Sequence, residues 1–269
     1  MYEVEGGGRP LVLLHGLMAH RGFWRLQRPL ASDFRLISID MRGHGDSVRA
    51  GDAPGVEQLA QDVTALAEEL GLEDAIGVGW SLGASVLWHV LTGPAAPRFS
   101  GAVVIDMTPK VQNGEDWQLG LSKELCEARR AGIRDEFRAF AANAGQAMFA
   151  HSTEPTTGEM AAWAAEEFAR NDQPSIAALW GSLVEQDLRP LLPHIRQPTL
   201  IVHGAQSQLY GSDTADYLAQ ALPDASSIRF DRSGHAPHIE QPELFNAAIR
   251  EFAAGLPRVR QSQASYSTQ

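Results

Sequence analysis

The sequence predicts an α/β fold: a mainly parallel sheet flanked by helices, with an inserted helical cap. Three observations carry that expectation. Short apolar runs alternate with longer helical patterns. Most of those runs are apolar on both faces. One interval of roughly ninety residues breaks the rhythm. Strands covered on both faces read as near-continuous apolar runs, and strand–helix alternation gives a parallel sheet with helices on either side.

In chain order, Leu11–His15 (LVLLH), Arg35–Asp40 (RLISID), Ala75–Trp80 (AIGVGW), Gly101–Asp106 (GAVVID), Thr199–His203 (TLIVH) and Ser226–Phe230 (SSIRF) read as strands. Helical patterns cover Val56–Leu70, Leu82–Leu91, Asp213–Leu222 and Pro242–Gly255. The interval between Asp106 and Thr199 holds no convincing strand. It carries helical patterns over Ser122–Phe149 and Thr157–Asn171, and it is rich in aromatics: Trp117, Trp163, Trp180, Phe137, Phe140, Phe149 and Phe168. The expected division is a core of residues 1–110 and 198–256, a cap over 111–197 and a flexible tail over 257–269. The tail is polar, rich in Ser and Gln, and aperiodic. An aromatic insertion over the strand ends would wall an apolar pocket.

The bulk numbers exclude several classes of partner. The chain has 269 residues, 44% of them hydrophobic and 20% charged, the balance of an ordinary globular enzyme. Its net charge of −11, with no basic run, argues against nucleic acid and membrane surfaces as partners. The single cysteine, Cys126, allows no intrachain disulfide. Met1–Pro10 has neither a basic n-region nor an apolar h-region, and no run reaches the roughly 20 apolar residues of a membrane span. A cytoplasmic enzyme is expected. Its oligomeric state is open, a homodimer included.

The sharpest motif is Gly79-Trp80-Ser81-Leu82-Gly83, directly after an apolar strand and opening an apolar helix. This is the G-x-S-x-G nucleophile elbow in the strand–turn–helix context it requires. The serine must occupy a tight, strained turn for its oxygen to project freely. Small residues two before and two after it let strand and helix approach. The helix start adds partial positive charge where an oxyanion forms.

With this elbow the chain resembles the α/β-hydrolase superfamily over nearly its whole length. His15-Gly16, after the first of these strands, is similar to the family's oxyanion turn. The resemblance implies that the backbone N–H groups of Leu17 and Leu82 form the oxyanion hole. Asp40-Met41-Arg42-Gly43-His44-Gly45-Asp46-Ser47 is similar to the family's loop after the next strand, where charged groups brace the turn. Ser233-Gly234-His235 follows the last strand and precedes the last helix, where the family carries its catalytic histidine. A neutral imidazole there can take the serine proton and return it to the leaving group. His235 and His238 also make an H-x-x-H pair, but no third ligand supports a metal, and no cofactor is expected. Trp80, Trp117 and His238 are the expected substrate-binding side chains.

The acid departs from the family's pattern. The family places it in the loop after the strand Thr199–His203, and here that loop reads Gly204-Ala205-Gln206-Ser207-Gln208-Leu209-Tyr210, with Ser207 where Asp is usual. Asp106, at the end of an earlier strand, is the expected substitute. It lies at the C-terminal edge of the sheet, where ligands bind. Capping the turn before Pro109 is the alternative role for it. Asp213 is the next candidate, with helix capping its alternative role.

The expected function is a serine hydrolase that cleaves an ester, thioester or lactone of a small apolar or aromatic acyl substrate, through a Ser81 acyl-enzyme with His235 as base. Two alternatives stay open. The displaced acid also resembles the cofactor-free ring-cleaving dioxygenases of this fold, in which the histidine deprotonates a heteroaromatic ring. Loss of the usual acid also suits a non-catalytic ligand-binding member.

Overall fold

The computed structural model describes residues 1–49, 53–151 and 155–257. The tail expected over 257–269 therefore lies, past residue 257, outside the described residues.

Two strands open the chain, β1 (Tyr2–Gly6) and β2 (Arg9–Leu14), followed by a 3₁₀ segment over Arg21–Ser32. Strand β3 (Phe34–Ile39) leads to helix α1 (Val56–Glu69), then β4 (Ala75–Trp80), α2 (Leu82–Thr92) and β5 (Phe99–Ile105). Four helices come next: α3 (Lys123–Asp135), α4 (Phe137–Ala147), α5 (Pro155–Phe168) and α6 (Gln173–Glu185). The chain then re-enters the sheet with β6 (Thr199–Gly204), α7 (Ser212–Ala221) and β7 (Ala225–Phe230), and ends in α8 (Pro237–Glu240) and α9 (Pro242–Gly255).

The sheet has seven strands in the order β1-β3-β2-β4-β5-β6-β7. All neighbours are parallel except β1, which runs antiparallel to β3 along one edge. The central strands are apolar on both faces, and every residue of β4 is buried. Their faces are covered by helices such as α1, whose buried Val56, Leu59, Ala60, Val63 and Ala67 fall on one helical stripe. Helix α2 is buried almost all round, as its sequence LGASVLWHVLT demands.

Every segment that carries a candidate site residue follows the C-terminal end of a strand. His15–Leu17 follow β2, Ser81 follows β4, Asp106 follows β5, Ser207 follows β6 and His235 follows β7. A parallel sheet thus gathers residues far apart in sequence at one edge. Helices α3–α6 fill the interval between β5 and β6 and supply side chains to a pocket over that edge. No helix among the described residues is long and apolar enough to cross a membrane.

Candidate active site

Ser81 occupies a strained turn. Its φ is 52° and its ψ −119°, a conformation that costs a non-glycine residue about 1–3 kcal/mol. The turn is held by hydrogen bonds on both sides. The Ser81 N–H donates to the Ile105 carbonyl at 3.0 Å, continuing the β4–β5 pairing, while its own carbonyl starts α2. The flanking glycines are required by close approach. A Cβ at Gly79 would lie 2.5 Å from the Gly83 carbonyl oxygen, and one at Gly83 would collide with the Leu14 carbonyl. The N–H of Leu82 opens α2 and is one of the unpaired amides of a helix start.

The turn His15–Leu17, the expected oxyanion turn, is held by a buried, neutral histidine. His15 accepts a hydrogen bond at Nε2 from the Met41 N–H (3.0 Å), so Nδ1–H donates to the Gly16 carbonyl (2.8 Å). Burial pushes its pKa down to about 3, which keeps both bonds intact across the physiological range. Asn171, just past α5, donates from Nδ2 to the Met18 carbonyl at 2.6 Å and ties the same turn to the helical insertion. The loop after β3 is braced by charge. Asp40 accepts from the Arg21 and Asp46 N–H groups, and Arg42 grips Asp62 with two 2.8 Å bonds.

His235 and Asp106 meet. The His235 Nδ1–H donates to Asp106 Oδ2 at 2.6 Å, and both residues are buried. That bond sets the tautomer and leaves Nε2 with its lone pair. The same carboxylate oxygen accepts a second hydrogen bond, from the Ser207 hydroxyl at 2.7 Å. Ser207, at the position where the family's acid is usual, therefore holds the carboxylate that His235 meets. Asp106, like Ser81, has a left-handed backbone, with φ 45°, and its N–H donates to the Val202 carbonyl. The other candidate acid, Asp213, is exposed in the first turn of α7.

Trp80 takes a role that the motif alone does not reveal. Its indole Nε1–H donates to the His235 carbonyl at 2.8 Å, so the residue before the serine positions the histidine. Glu240 fastens the histidine loop from the other side. Its carboxylate accepts the Gly234 N–H (2.8 Å) and the Ala150 N–H (2.7 Å), while the His235 N–H donates to the Met148 carbonyl.

Ser81 and His235 open into one pocket. Gly16, Leu17, Met18 and Trp80 line it from the sheet side, and Phe140, Met148, Phe168, Trp180 and Leu183 line it from the insertion. It holds about 70 Å³ of solvent-accessible space. One charged side chain from the insertion, Arg129, reaches it. Two larger hollows lie on the flank around Asp40 and Asp46, and neither contains Ser81 or His235.

Two expected substrate-binding residues are elsewhere. Trp117 packs edge-on against Tyr217, donates to the Lys110 carbonyl and lies under Arg189. His238 is wholly buried between the Trp24 and Trp80 rings, at 4.5 and 4.8 Å, with neither ring nitrogen hydrogen-bonded among the described residues. Burial holds its pKa well below the ordinary histidine range, so it serves as a neutral core ring rather than a pocket wall.

Residues 11–248 match the Alpha/beta hydrolase family. The chain belongs to that family. The hydrolase is 31% identical over 255 residues to the pimeloyl-[acyl-carrier protein] methyl ester esterase of Vibrio vulnificus, covering 94% of this chain and 97% of that one. Among solved structures it is similar to a thermophilic esterase from Thermogutta terrifontis, with 26% identity, a TM-score of 0.83, and coverage of 94% of this chain and 92% of that one. It shares its fold with a bromoperoxidase from Bacillus anthracis, with 22% identity and a TM-score of 0.88 over 94% of both chains.

Proposed function

We propose that this hydrolase is a serine esterase acting on small carboxylic esters, with Ser81 as nucleophile, His235 as general base and Asp106 as the acid. Helices α3–α6 act as its cap. The observation that carries the reading is the hydrogen-bonded line from Ser207 through Asp106 to His235, which leaves Nε2 available in the pocket that Ser81 enters. The curated relatives named as methyl ester esterases support it.

The chemistry follows from the geometry. Substrate fills the pocket and draws the Ser81 hydroxyl onto His235 Nε2, a contact that tightens on binding. Nε2 takes the proton as Oγ attacks the ester carbonyl carbon. The new oxyanion faces the N–H groups of Leu17 and Leu82 and the start of α2. Asp106 stabilises the imidazolium and keeps its proton on Nδ1. Collapse breaks the C–O bond, and the leaving alkoxide takes the proton from Nε2. Water then repeats the sequence and frees Ser81. The small cavity and its apolar lining suit a short acyl group.

Intact-mass measurement after treatment with a fluorophosphonate tests the reading, with Ser81→Ala as control. A single adduct on the wild type alone is expected. A folded, unlabelled wild type would count against the acyl-enzyme and favour proton abstraction by His235 without covalent chemistry at Ser81.

A further inference from the structure

We propose that Arg129 recognises an anion in the Ser81 pocket, so that the preferred substrates are small esters bearing a second, ionised carboxylate. This deepens the esterase reading and rests on it for the ester alone. The anion site stands on the placement of Arg129.

Arg129 lies on α3, is half-buried and lines the pocket together with Ser81 and His235. Its neighbours there are chiefly apolar: Phe140, Ala144, Met148, Trp180 and Leu209. Several other arginines that are partly buried are gripped by acids, among them Arg9 by Asp74, Arg42 by Asp62 and Arg189 by Asp187. Arg129 has no carboxylate partner among the described residues, and its Nε is buried without a hydrogen bond. Cys126 and Tyr210, whose charge it would feel, are both pushed up in pKa by burial and stay neutral at pH 7. The compensation that the fold provides is the Trp180 ring, 5.8 Å from the guanidinium carbon.

A guanidinium keeps its proton even when burial opposes the charge. An unpaired cation in an apolar cavity is costly, and a carboxylate entering with the substrate relieves that cost. The planar fork of arginine fits a carboxylate through two parallel hydrogen bonds, a match that lysine lacks. An anion at this end of a small pocket would also fix which carbonyl faces Ser81. The site is thus a specificity device, placed on the insertion rather than on the sheet edge that does the chemistry.

Two measurements test the proposal. The first is calorimetric binding of monomethyl succinate to the Ser81→Ala protein, which keeps the pocket and removes the nucleophile. Binding is expected there, at least about 30-fold weaker when Arg129→Met is added, and partly regained with Arg129→Lys. The second is the ratio of kcat/KM for monomethyl over dimethyl succinate. The wild type is expected to favour the monoester, and Arg129→Met to lower that ratio by about 30-fold or more, chiefly through KM. A wild type that favours the diester, or an Arg129→Lys protein that is folded and no different from Arg129→Met in binding, would overturn the anion site. Binding of the monoester without turnover of any ester would uphold the anion site and sink the esterase reading. Turnover of neutral esters with no monoester binding would do the reverse.

Discussion

Ser207 donates a 2.7 Å hydrogen bond to Asp106 Oδ2, the oxygen that also receives the His235 Nδ1–H. The other oxygen, Oδ1, is buried without a partner among the described residues. Both hydrogen bonds therefore converge on one atom, and Ser207 fixes where it points. The Ser207 oxygen is held in turn by the N–H groups of Leu209 and Tyr210, at 3.3 and 3.4 Å. The loop that usually supplies an acid here supplies an orienting hydroxyl.

Ser207→Ala removes that orienting bond and leaves the carboxylate. Under the proposed assignment, kcat on a small ester is expected to fall about 10-fold, the worth of a hydrogen bond to a charged group. Steady-state kinetics on the folded variant checks it. An unchanged kcat would mean that β5 alone orients Asp106.

The adjacency of the two side chains makes the acid portable. The double variant Asp106→Asn with Ser207→Asp returns a carboxylate to the imidazole from the β6 side. It is expected to exceed Asp106→Asn alone by about 100-fold in kcat, short of full recovery because the tautomer depends on fine geometry. Equal activity of the two variants would show that a carboxylate at 207 does not reach Nδ1.

Trp80→Phe keeps a ring beside the pocket and deletes the donor to the His235 carbonyl. A buried carbonyl then loses its partner, at a cost of about 1–3 kcal/mol in stability. Urea unfolding reads that loss, and kcat is expected to fall with it because the histidine loop is less well held.

Glu240 gives a pH signature. Burial is the main cause that raises its carboxyl to about 7, against the pull of its backbone N–H donors. The unfolded chain releases this proton near the ordinary glutamate value, so between there and about 7 the native state binds the extra proton. Stability from this group is therefore full at low pH and lost as pH rises through that window. Wild type is expected to lose more unfolding free energy than Glu240→Gln between about pH 5 and about pH 8. Parallel losses would remove Glu240 as the source.

Much of this was legible in the sequence because the signals are local. The strands at Ala75–Trp80 and Thr199–Gly204 announce themselves as apolar runs, and the elbow at Ser81 carries its strain in its flanking glycines. What escaped depends on distant partners. Strand β1 reads YEVEG, mostly exposed, and becomes a strand only by pairing with β3. The 3₁₀ segment Arg21–Ser32 puts Phe23, Trp24, Gln27 and Leu30 on one buried stripe, a usable period, but Pro29 inside it argues against a helix. Helix α6 had usable signals, with Asp172 as N-cap and Pro174 in its first turn, but its apolar face continues almost all round. Asp106 stood out because the usual acid was missing. The bonds from Ser207 and from Trp80 span 101 and 155 residues and leave no local pattern. Arg129 lay in a charged helix where nothing marks the one residue that turns into the pocket.

The most direct measurement is kcat of Asp106→Asn on an ester that the wild type hydrolyses, with circular dichroism to verify the fold. The expected result is a fall of about 10⁴-fold, since an amide in that place favours the wrong imidazole tautomer and cannot stabilise the imidazolium. A folded Asp106→Asn protein with wild-type kcat would contradict the assignment of Asp106 as the acid.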